Sequence, residues 1–151
     1  MIGHLQTNKV KKLLGGEVEL IHSVDSIKLA KEINKVAGNL NKKVNILIEV
    51  NISNDPNKSG VLTANIDELI DEILHMDNLI LKGLMTIPMI VDDDNITRNY
   101  FKDLNNLEKE LNTRFNLNMD ILSMGMSNDY ELAIEEGSTI IRIGTNLFGK
   151  R

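Results

Sequence analysis

Apolar positions along this chain follow two alternating rhythms. Glu17 to Ser23 (EVELIHS) reads as a short strand, and Asp25 and Ser26 after it are N-cap candidates. Ile27, Ala30, Ile33, Val36 and Ala37 then recur at helical spacing, with Gly38 as the expected stop. Val44 to Ile52 is β-branched and largely apolar, as a strand covered on both faces should be. Ile66, Leu69, Ile70, Ile73 and Leu74 form the next helical stripe. Leu79 to Ile87 is a strand closed by Pro88, and Asp92 to Asp94 form an acidic turn. Phe101, Leu104, Leu107, Leu111 and Phe115 mark one face of a long helix. Met119 to Met124 predicts a strand, Asn128 to Glu136 a short helix ended by Gly137, and Thr139 to Ile143 a final strand. At the start, Met1 to Leu5 reads as the end of a strand, and Thr7 to Leu14 as a helix stopped by Gly15 and Gly16.

Strands alternating with helices at intervals of roughly 30 residues mean βαβ units and a parallel sheet. No Gly-x-Gly-x-x-Gly follows a strand and no Gly-x-x-x-x-Gly-Lys-Ser/Thr occurs, so nucleotide-binding doubly wound folds lose support. The pattern leaves an incomplete barrel or an open α/β sheet, with the barrel slightly ahead. The 151 residues suit one domain, spanning 1–151. The net charge of −5 gives no basic face for nucleic acid, and no apolar run nears the ~20 residues of a membrane span. Met1 to Lys12 lacks a secretory apolar region, so the expected location is the cytoplasm. Without cysteine, disulfides and thiolate metal sites are excluded.

Polar and glycine residues gather at the C-terminal ends of the predicted strands, the face where parallel barrels build their sites. Gly125-Met126-Ser127 leads into a helix and Gly144-Thr145 follows the last strand. Together they would offer backbone N–H groups and hydroxyls to an anion. Each has a plainer reading: Ser127 as a helix cap, Gly144 as a turn glycine, Arg142 as an ion-paired strand residue. His22 and His75 read as structural or surface residues, and no His/Glu set has metal-ligand spacing, so no metal is expected. Asp92 to Asp94 lacks the rest of a calcium loop.

Seven blocks in order carry a resemblance. They are Ile2-Gly3-His4-Leu5-Gln6-Thr7-Asn8-Lys9, Ser23-Val24-Asp25-Ser26, Glu49-Val50-Asn51-Ile52-Ser53, Lys58-Ser59-Gly60, Gly83-Leu84-Met85-Thr86-Ile87-Pro88, Leu122-Ser123-Met124-Gly125-Met126-Ser127 and Arg142-Ile143-Gly144-Thr145. The sequence resembles the pyridoxal phosphate homeostasis protein family, also called proline synthetase co-transcribed homologues. The resemblance implies a TIM-type (β/α)8 barrel like the N-terminal domain of alanine racemase, holding pyridoxal 5′-phosphate with little or no turnover. It also implies that Arg142 approaches the pyridine nitrogen, and that Ser127 with the backbone of Met126, Gly144 and Thr145 holds the phosphate.

The likeness also implies further βα units upstream of Met1, with the Schiff-base lysine at the end of the first. At ~30 residues per unit, about the last six strands of the barrel are expected here. No catalytic residue is therefore assigned: Lys9, Lys11 and Lys12 look helical, Lys43 precedes its strand and Lys82 falls inside one. An incomplete barrel exposes sheet edges, to be met by self-association, by a separate upstream chain, or by partial order. The expected function is cofactor binding in vitamin B6 homeostasis, without enzymatic turnover. The alternatives are a racemase-like enzyme or an inactive fragment. The enzyme reading is disfavoured because Tyr100 and Tyr130 both fall on predicted helices.

Overall fold

The computed structural model describes residues 3–144. Five strands form one parallel sheet in chain order: β1 (Ile21–Val24), β2 (Val44–Glu49), β3 (Leu79–Met85), β4 (Ile121–Met126) and β5 (Ile140–Arg142). Between them run α2 (Ile27–Asn39), α3 (Ile66–Leu74), α4 (Asp94–Phe115) and α5 (Tyr130–Glu135), and a short α1 (Val10–Leu14) precedes β1. Strands added in sequence by helical crossovers make a partial barrel, the architecture expected for alternating βα units.

Alternation along each strand separates two faces. Ile21, Val24, Val44, Ile46, Ile48, Leu84, Leu122 and Met124 pack under the helices with Leu29, Ile33, Leu69, Ile70, Phe101 and Leu104. Glu49, Met85, Ser123 and Arg142 fall on the other face, and in β1 a register irregularity between Ile21 and Val24 brings His22 to the same side, against Ser123. Gly83 belongs to that face because nothing larger fits: a Cβ there would lie 1.8 Å from the carbonyl oxygen of Ile121. This close approach brings β3 and β4 together just below Thr86 and Ser123.

The helix Ile66–Leu74 runs over its apolar stripe as expected, and Ser26 caps α2 by accepting from the Leu29 N–H at 3.4 Å. Other expectations need correction. Gly38 does not stop α2; the helix continues to Asn39 and the left-handed residue is Asn41, with φ of 51°. Gly38 is a packing position instead, where a Cβ would meet the Asn78 side chain at 3.0 Å. The first strand begins at Ile21 rather than Glu17, and the Glu19 carbonyl accepts from the Asn45 side chain at 3.2 Å. Gly3 to Leu5 lie in no strand, so five strands rather than six are seen among the described residues, and Met1 and Ile2 fall outside them. Asp94 is the first residue of α4, with Asp93 as its cap, accepting from Asn95 N at 2.8 Å. The turn 127–129 delays α5 to Tyr130.

Candidate functional site

β3, β4 and β5 meet at one side chain. Arg142 Nη1 donates to the Ser123 carbonyl at 2.8 Å and to Ser123 Oγ at 2.7 Å, while Nη2 donates to the Thr86 carbonyl at 2.8 Å. The Thr86 carbonyl lies just past the end of β3 and the Ser123 carbonyl within β4, and the Thr86 hydroxyl in turn donates to the Val50 carbonyl at 2.7 Å. A guanidinium carries five N–H donors, so two remain with no acceptor among the described residues. Burial lowers the pKa of Arg142, while Asp129 and Glu49 draw it back up, and the group stays charged.

Arg142 lines a cleft of about 660 Å³ together with His22, Met126, Ser127, Asp129 and Gly144. The cleft thus joins four of the five residues named from sequence; the fifth, Thr145, lies outside the described residues. Ser127 is half-buried in the turn after β4, and a Cβ on Gly144 would meet nothing within 4 Å. Met126 pairs with Arg142 across β4 and β5, and its N–H donates to Asp129 Oδ1 at 2.6 Å. An anion at this turn would have to take that N–H over from a carboxylate.

Sequence reasoning underrated His22. Only 8% exposed, it places Nδ1 2.9 Å from Ser123 Oγ; its pKa is lowered to about 4, chiefly by burial, with the charge of Arg142 a smaller contribution. No local signal could show this, because its partner lies 101 residues away. Glu49 was also missed as a titrating group: burial first, and then the charge of Asp25, raise its pKa to about 7. Asn51 organises the loop after β2, donating to the Asp55 carbonyl at 2.8 Å and accepting from its N–H at 3.2 Å.

For a pyridine ring bearing a phosphate, the chemistry of the donor set fits at the ring end. Arg142 presents a fixed charge with unspent N–H groups to a mostly apolar cleft. At the phosphate end Ser127 and Gly144 fit, whereas Met126 is contested by Asp129.

The family model of the alanine racemase N-terminal domain matches residues 1–151. The chain is 49% identical over 150 residues to the pyridoxal phosphate homeostasis protein of Aquifex aeolicus, covering 99% of this chain and 65% of that one. It is 37% identical to the protein of the same name from Synechocystis sp., covering 99% of this chain and 68% of that one. Among solved structures it is similar to PipY of Synechococcus elongatus with PLP bound, at a TM-score of 0.87 and 33% identity, over 97% of this chain and 68% of that one. The chain thus spans 65% of the length of the Aquifex protein. No helix among the described residues is long and apolar enough to cross a membrane.

Proposed function

Because the chain belongs to the alanine racemase N-terminal domain family, among the pyridoxal phosphate homeostasis proteins, we propose that its cleft binds pyridoxal 5′-phosphate and serves cofactor supply in the cytoplasm rather than turnover. The observation that carries this reading is the pinned guanidinium of Arg142, with two N–H groups left over beside the cleft. When bound, the cofactor would supply an aldehyde that condenses with amines and a ring that withdraws electrons. Arg142 would donate one N–H to the ring nitrogen and, by its fixed positive charge, keep that nitrogen from taking a proton. A ring held in that state withdraws electrons weakly, which suits a carrier. Ser127, with the backbone of Met126, Gly144 and Thr145, would hold the phosphate.

Turnover would also need an acid or base facing the ring. Among the described residues the cleft lining offers His22, Asp94 and Asp129 but no lysine or tyrosine; Tyr130 instead donates to Glu131 at 3.3 Å on α5. The test is equilibrium dialysis with pyridoxal phosphate, for the wild-type chain and for Arg142→Met. Saturable one-to-one binding, weakened about tenfold or more by the substitution, supports the reading. Equal binding by both proteins would refute the role of Arg142.

A further inference from the structure

Ser123 Oγ lies between two partners with different requirements. Arg142 Nη1, 2.7 Å away, can only donate, so Oγ accepts there. Among the described residues no other group hydrogen-bonds to Oγ, so its single proton has one acceptor to go to, His22 Nδ1 at 2.9 Å. That bond forms only if Nδ1 carries no proton, which places the ring proton on Nε2. The relay crosses the sheet from β1 through β4 to β5. It begins at a ring that is 8% exposed and ends at a half-buried guanidinium.

We propose that His22 is a positioning residue: by accepting the Ser123 hydroxyl it turns the Oγ lone pair toward Arg142 and so fixes the guanidinium for the ring of the bound cofactor. This rests on the cofactor reading above for its purpose, while the relay itself needs no ligand. A protonated or apolar residue at position 22 leaves the Ser123 hydroxyl to rotate, and its lone pair is no longer aimed at Nη1. Arg142 then keeps only its two carbonyl acceptors, both on backbone, and the plane of the guanidinium loosens.

Nitrogen-15 NMR on the ligand-free chain tests the relay directly. Expected are a neutral His22 ring with its proton on Nε2, and slowly exchanging Arg142 Nη protons. His22→Phe and Ser123→Ala should both lose the slow Nη signals. His22→Asn, whose Oδ1 can stand where Nδ1 stood, should keep them. Ser123→Ala removes the same link from the other side, so the test survives if His22→Phe fails to fold. With ligand, affinity for pyridoxal phosphate should fall about tenfold in His22→Phe and return to within about twofold in His22→Asn, while affinity for inorganic phosphate stays unchanged. A ring proton on Nδ1, or slow Nη signals undiminished in both His22→Phe and Ser123→Ala, would overturn the inference. If the wild type shows the expected relay yet binds neither pyridoxal phosphate nor phosphate, the cofactor reading fails and the relay stands.

Discussion

Glu49 is 4% exposed, and its pKa rises from 4.5 to about 7 through burial and then Asp25. A carboxyl that holds its proton more tightly when folded loses stability as pH rises, here between about 4.5 and 7. His22 has the opposite sign. Its pKa falls from 6.5 to about 4, so the unfolded chain takes up a proton first, and stability is lost as pH drops through that window. Between about pH 4.5 and 6.5 the two slopes oppose each other, and removing either residue exposes the other. Urea melts of Glu49→Gln should show stability rising with pH from 4 to 6.5; those of His22→Asn should show it falling from 4.5 to 7, each by about 3 kcal/mol. Parallel profiles for the two variants would contradict this account. Asp129 makes a separate test. Asp129→Asn keeps an oxygen for the Met126 N–H but removes the charge beside it, so inorganic phosphate should bind about threefold or more tightly by calorimetry. At this scale the gathering of Arg142, Ser127 and Gly144 along one cleft was legible from strand-end chemistry and resemblance. His22 and Glu49 were not, because their behaviour depends on burial and on partners from other strands.

Elements were more legible than residues wherever one segment carried its own signal. The apolar stripe of α3 and the serine cap of α2 are local facts, and both were placed correctly. Strand ends were not, because pairing decides where a strand starts. β1 begins at Ile21, opposite Ile46, whatever the alternation from Glu17 suggests. Gly38 misled because a glycine near a helix end usually stops it, whereas here it makes room for Asn78. Gly83 is the sharpest case. The sequence places it inside a strand but cannot name the neighbour that excludes a side chain, and a methyl group there would strike the Ile121 backbone. Gly83→Ala should separate β3 from β4 and destabilise the fold by about 2–4 kcal/mol in thermal melts. It should also weaken pyridoxal phosphate binding, since Arg142 bridges the Thr86 and Ser123 carbonyls that those strands carry. A melt within about 0.5 kcal/mol of wild type would show that the close approach is easily relieved. The loop after β2 offers a second test. Gly60 has φ of 111°, and a Cβ would lie 2.5 Å from Asn51 N, so Gly60→Ala should undo the bridge between Val50 and Val61 while leaving the sheet intact.

Across the whole molecule, the partial barrel and its five strands were legible because every βα unit repeats the same alternation; only the stub at the start forms no strand among its described residues. Stability should be uneven across the sheet. The residues of β2 are almost all buried, whereas the three of β5 are all half-buried. Amide hydrogen exchange should therefore be slowest in β2 and fastest in β5. Pyridoxal phosphate should slow β5 more than any other strand, because Arg142 lies on it. Protection gained equally by all strands would argue against a site anchored there. The order β1 to β5, each strand beside the one made before it, also bears on how the chain is born. During synthesis each new unit can dock on an edge already in place, with only one helix intervening, so contact order stays low and assembly proceeds from the N-terminal side. Arg142 leaves the ribosome after both of its carbonyl acceptors, and its three hydrogen bonds close only when the preceding strands have registered. A chain that stops short of β5 therefore has a sheet but no guanidinium at the cleft.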